Sequence, residues 1–171
     1  TSVLSNVYSS KNSDITSLIE DIKNNQVGAL MFLNTNPVYT LPNSKEFVKL
    51  LENVETKISF SESLDETAVY CDYVCPISNY LESWGDLNPY TGLYTIQQPT
   101  ISPLFNSRQF QDTILAWLGE NKNYYNYLKV FFESKFSKTW NQFVHDGFFI
   151  SKQKKSYMSF IDKSYDDIIS N

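Results

Sequence analysis

The sequence predicts an α/β fold: a Rossmann-like, doubly wound parallel sheet followed by a helical, aromatic-rich C-terminal part. Three observations carry that prediction. Helical and strand periods alternate three times in the first half of the chain. One strand, residues 27–33 (Val-Gly-Ala-Leu-Met-Phe-Leu), is apolar on every residue, as in a strand covered on both faces. The second half carries closely spaced rings at helical intervals, from Tyr124 to Phe149.

Each element follows from its residues. In 12–25, Ile15, Leu18, Ile19 and Ile22 fall on one helical face, and Ser13 or Asp14 can cap it. The apolar strand stops at Asn34-Thr35-Asn36-Pro37, a turn-forming string. A second helix, opened by Asn43 or Ser44, carries the stripe Phe47, Leu50, Leu51 and Val54. Residues 56–60 then read as a strand and 65–71 as a short helix, with Asp65 and Glu66 in its first turn, where the helix dipole favours acids. A third strand is expected over 73–77.

The stretch 78–107 changes character. Gly85, Pro89, Gly92 and Pro99 punctuate a polar run, and the expectation is one long ordered loop that docks another domain through Tyr80, Trp84, Tyr90 and Tyr94. Glu82 lies within it and is read as an acceptor for backbone N–H groups that pins the loop. Helix resumes at 108–118 with the apolar face Phe110, Ile114, Leu115 and Leu118. Two more helices, 124–136 and 139–145, end near Gly147, and a loosely held polar tail follows Ile150. The division expected is an α/β domain over 1–120 and a helical extension with its tail over 121–171.

Composition narrows the function. The 171 residues suffice for one sizeable core, and 42% apolar content suits a folded chain. Net charge is −5, and the one basic cluster, Lys152, Lys154 and Lys155, reads as a solvated surface, so nucleic acid is not an expected partner. No apolar run approaches the roughly 20 residues of a membrane helix. The chain starts at Thr1 without an initiator Met, which suggests a fragment of a longer precursor. Cys71 and Cys75, with one His in the whole chain, are too few for an iron–sulfur cluster or a closed zinc site; both are expected to be buried free thiols. His145 reads as a helix-end residue, and no nucleophile–base set accompanies it.

Several landmarks recur in a fixed order. They are Asn34-Thr35-Asn36-Pro37, Tyr39-Thr40, Asp65-Glu66-Thr67-Ala68, Asp72-Tyr73-Val74-Cys75-Pro76, Glu82, Gly92, and Ser107-Arg108 at a helix start. Over about residues 27–119 this order resembles the molybdopterin oxidoreductase large-subunit family. Trp84-Gly85-Asp86, Gln97-Gln98-Pro99, Trp140 and His145-Asp146-Gly147 are similar to the iron–sulfur, molybdopterin-oxidoreductase-like subunit of alternative complex III, a quinol-oxidising respiratory assembly. Family members carry molybdopterin guanine dinucleotide and iron–sulfur clusters. The resemblance thus implies an oxidoreductase subunit, other domains of the same polypeptide and other subunits as partners, and a periplasmic or periplasmic-side location.

The same resemblance marks a departure. Cofactor-bearing relatives follow the loop glycine with Arg, a cation for the dinucleotide phosphate, whereas Leu93 follows Gly92 here. Asn34, Asn36, Pro37 and Glu82 are the candidate cofactor-binding residues, the turn offering backbone N–H groups at the carboxyl end of the sheet. The leading expectation is a structural domain that holds no cofactor or metal of its own. A domain lending half of a cofactor cleft is the second. A free-standing small-ligand module is the third.

Overall fold

The computed structural model describes residues 12–136 and 138–151, the side chains of 12–14 apart. Ser13 and Asp14, expected as caps, fall within a helix but with side chains that are not described, and the Lys152 cluster and the tail lie outside the described residues.

Strands β1 (Ala29–Leu33), β2 (Thr56–Phe60) and β3 (Tyr73–Val74) form a parallel sheet in that order. Helices α1 (Asn12–Lys23), α2 (Pro37–Thr40) and α3 (Ser44–Leu51) alternate with the first strands. The helical stripes find their partners on one face, where Phe32, Phe47 and Leu51 are buried with Ile19, Leu30, Val38, Leu41 and Cys71 packed around them. Among the described residues only this face of β1 is covered. Ala29, Met31 and Leu33 point the other way and are exposed, so the doubly covered strand expected from 27–33 is half bare. Among the described residues the opposite face is closed only at the end of β2, where Phe60 meets Phe110 and Trp117 of helix α4 (Phe110–Trp117) with ring centroids 4.9 and 5.8 Å apart. α4 keeps Leu115 buried but leaves Leu118, assigned to its apolar face, 73% exposed, because the chain turns away through Gly119 at φ 77°.

Two expected elements shrink. The helix over 65–71 is a single 3-10 turn at Ala68–Tyr70, since Asp65 Oδ1 accepts both the Thr67 and Ala68 N–H groups (3.0 and 2.8 Å) and holds a tight turn. β3 has two residues, and beyond it Cys75 and Ile77 still donate to Ser59 and Ser61 carbonyls (2.8 and 3.1 Å) on either side of Pro76, which has no N–H. Cys71 and Cys75 are free thiols, half-buried rather than buried. Desolvation, first, and neighbouring Asp72 push the Cys71 thiol up to about 11.

The stretch 78–107 is not one loop. It holds a 3-10 turn at Tyr80–Glu82 and a hairpin of β4 (Gly85–Tyr90) and β5 (Leu93–Gln97), turning at Thr91-Gly92 with Gly92 at φ 91°. Pro89 sits on the edge strand at a register shift between Leu87 and Tyr90, where its missing N–H is tolerated. The hairpin pairs antiparallel with β6 (Phe148–Ile150), which closes a second three-stranded sheet. Helices α5 (Tyr124–Lys135) and α6 (Trp140–Asp146) pack on that sheet. Their shared core is Ile96, Leu128, Phe132, Trp140 and Phe143, bordered by Trp84, Tyr94 and six further rings or apolar chains. Trp84 and Tyr94 are therefore core rings, not the docking rings expected of a loop. Tyr80 alone of the four is well exposed, at 65%.

Candidate functional site

The four candidate residues surround the carboxyl end of the parallel sheet, but not as one group. Asn34 leaves β1 at φ 46°, a left-handed conformation that Asn tolerates, and its N–H reaches the Phe60 carbonyl at 2.8 Å. Asn36 caps α2, with Pro37 in the first turn. Its Oδ1 accepts the Tyr39 N–H (3.3 Å) and the Thr67 hydroxyl (2.7 Å), and its Nδ2 donates to Glu66 Oε2 (2.6 Å). Thr67, fully buried, accepts the Val38 N–H in return (3.1 Å). The Asn36 bond, first, holds the Glu66 carboxyl below its ordinary range. Asn36 and Pro37 thus knit the turn after β1 to the turn after β2, and the amide's donor and acceptor atoms are already engaged.

Glu82 is engaged too. Its Oε2 accepts the Asn79 N–H (3.2 Å) in a capping box, and its Oε1 accepts the Leu104 N–H (3.0 Å), tying the 3-10 turn to the strand-to-helix connection. It lines a hollow of 330 Å³ with Leu81, Ile101 and Phe105.

A separate cleft of 340 Å³ opens between the two sheets, lined by Leu33, Asn34, Glu62, Ser78, Tyr80, Trp84, Gln97, Gln109 and Gln111 among others. Asn34 is the only candidate residue on it. Gln109 and Gln111 were invisible to motif reasoning, because an amide pin follows no spacing rule, and Gln97 was visible only within the Gln97-Gln98-Pro99 landmark. Gln109 accepts the Trp84 N–H (3.2 Å) and donates to the Trp84 carbonyl (2.6 Å), so it fixes the strand start as a backbone partner would. Gln97 donates to the Tyr80 carbonyl at 2.5 Å.

The donor set fits a pyrophosphate-bearing dinucleotide poorly. Such a group wants cations or converging free N–H donors. Among the described residues Glu62 is the one charged side chain on the cleft, and it repels phosphate. Arg108, the chain's sole arginine, is exposed and turns its guanidinium to the Asp112 carbonyl (3.4 Å). His145, 87% exposed in α6, sits 2.9 Å from Asp146, and neither lines the cleft. Among the described residues no three His, Cys, Asp or Glu side chains gather as a metal site would require.

The family model described as molybdopterin oxidoreductase matches residues 4–116. The chain is 36% identical over 96 residues to the menaquinone reductase, molybdopterin-binding-like subunit, of Nitratidesulfovibrio vulgaris, covering 54% of this chain and 14% of that one. It is 27% identical over 81 residues to the assimilatory nitrate reductase catalytic subunit of Bacillus subtilis, covering 47% and 11%. The fold is similar to that of acetylene hydratase from Pelobacter acetylenicus, with a TM-score of 0.65 at 17% identity, over 80% of this chain and 20% of that one. The chain thus spans about a seventh of the length of the first of these relatives.

Proposed function

The chain belongs to the molybdopterin oxidoreductase family, and we propose that it serves there as a cofactor-free structural domain of a larger respiratory oxidoreductase subunit. Its setting in this reading is a quinol-oxidising electron-transfer complex of the alternative complex III kind, on the periplasmic side of the membrane, with sibling domains and other subunits as partners. The relative named as molybdopterin-binding-like, a menaquinone reductase subunit, supports a quinone-linked setting, though its name gives the quinone-reducing direction. No helix among the described residues is long and apolar enough to cross a membrane.

The observation that carries the reading is the chemistry of the carboxyl-end cleft. Among the described residues its single charge is the Glu62 carboxylate; away from the cleft, Leu93 follows Gly92 where the family resemblance expects a phosphate-binding Arg, and Asn36 is spent on Thr67 and Glu66. Each would have to change before the site favoured a dinucleotide. The second reading, a domain lending part of a true cofactor cleft, draws on Asn34, Tyr80 and Gln111 lying where parallel sheets bind ligands. Pterin fluorescence after oxidative extraction, with molybdenum analysis, separates the two in the polypeptide isolated from its own cells. The first reading expects neither pterin nor molybdenum in stoichiometric amount. One of each per chain contradicts it.

A further inference from the structure

We infer that β1 is an interior strand of a wider parallel sheet, and that its free edge receives a parallel strand from the polypeptide N-terminal to α1. The first observation is the ladder. Thr56 N–H bonds to the Gly28 carbonyl (3.1 Å) and Asn34 N–H to the Phe60 carbonyl (2.8 Å). The alternation of a parallel pair therefore turns residues 28, 30, 32 and 34 toward β2, and turns the N–H and C=O groups of Ala29, Met31 and Leu33 outward. Among the described residues nothing pairs with those groups.

The second observation is that nothing among the described residues guards this edge. Natural edge strands carry charge, Pro or a bulge. β1 has none of them, its register runs unbroken over five residues, and it exposes Met31 and Leu33.

The third observation says which side of the chain supplies the partner. α1 and α3 lie on the same face, with Ile19 of one and Phe47 and Leu51 of the other against Phe32. The α3 crossover leads from β1 to β2. Parallel crossovers share one hand. A crossover of that hand that runs through α1 on that face into β1 must start from the side away from β2. The strand before α1 therefore belongs on the free edge of β1. The inference does not depend on the cofactor-free reading, which concerns the other end of the strand.

The test is a photo-reactive phenylalanine analogue at position 31 in the native gene, with a control at position 30. Irradiation and peptide mapping of the polypeptide from its own cells should join position 31 to a peptide N-terminal to Asn12 of the same polypeptide. Position 30 should join α1 or α3. A position-31 product with a peptide beyond Ile150, with a second copy or with another polypeptide overturns the inference, as does no product while the control reacts. Hydrogen exchange on the unsubstituted polypeptide needs no variant. The Met31 and Leu33 amides should be as protected as those of Leu30 and Phe32, and a loss of protection at the first pair alone overturns the inference. Neither outcome touches pterin content, so the two proposals fail separately.

Discussion

The parallel and antiparallel sheets are held by different means. Around β1–β3 the buried core is small, and polar knots carry the turns: Asn36, Thr67 and Glu66 in one, Asp65 with two N–H groups in another. Around β4–β6 the core is a continuous stack of rings. Phe132 lies 5.0–6.4 Å from the rings of Tyr94, Phe131, Phe136, Trp140 and Phe143. Lys135 lays its ammonium group over Tyr94, Phe131 and Phe136, and Lys138 lays its own over Phe143 and Phe149. The difference shows where each half obtains stability. The ring core is complete within the described residues, whereas the parallel sheet leaves an apolar face and an edge for something else.

That contrast predicts unequal damage. Phe132→Ala removes the centre of the ring stack, and urea unfolding should report a loss of about 3–5 kcal/mol. Its near-ultraviolet dichroism, dominated by Trp84, Trp140 and the tyrosines around them, should fall with it. Asn36→Ala should cost less, about 1–3 kcal/mol, since it strips the buried Thr67 hydroxyl of its acceptor without opening a large cavity. A cost as large as that of Phe132→Ala would mean the polar knot, and not packing, carries the first half.

Smaller still is Gly147→Ala. Gly147 ends α6 at φ 74° and its N–H bonds to the Phe143 carbonyl, so a side chain there should cost about 1–2 kcal/mol through backbone strain alone. The smallest effect is acid. Glu66 is held below its ordinary range first by the Asn36 amide, Asp72 first by the Lys57 backbone N–H, and Asp146 first by Lys138. A carboxyl depressed in the folded state adds stability above its unfolded pKa and loses it as pH falls through the folded value. Tm should therefore stay level from neutrality to about pH 5 and decline below about pH 4. All three carboxyls face solvent, so the decline should be gradual, and high salt should flatten the part due to the Lys57–Asp72 and Lys138–Asp146 pairs.

What the sequence made legible follows the same divide. Elements built from local periods came through: the α3 stripe, the α1 stripe apart from the exposed Ile15, the α5 and α6 spans, β1 and β2 with their order, and the Gly147 stop. The place of Glu82 in a polar stretch predicted a backbone acceptor, and Asn79 and Leu104 supply the N–H groups. The hairpin was missed because Asn88-Pro89 reads as a break, although Leu93-Tyr94-Thr95-Ile96 has the composition of a strand. β6 was missed because Phe148 and Ile150 gain their partners only from Thr95 and Leu93, more than fifty residues away. Trp84 was misplaced for the same reason: its partners Tyr125 and Trp140, at 4.9 and 5.6 Å, come from the far end of the chain. At the candidate site, Asn36 announced a turn, but nothing local showed that Thr67 and Glu66 consume it.

The claim that the carboxyl-end cleft does not serve a dinucleotide is tested most directly by calorimetric titration of the chain with guanosine diphosphate at low salt. With Glu62 as the only charge and no Lys or Arg among the described residues that line the cleft, the account predicts no saturable heat up to millimolar nucleotide. Saturable micromolar binding, lost when the cleft is altered by Asn34→Ala, would contradict it.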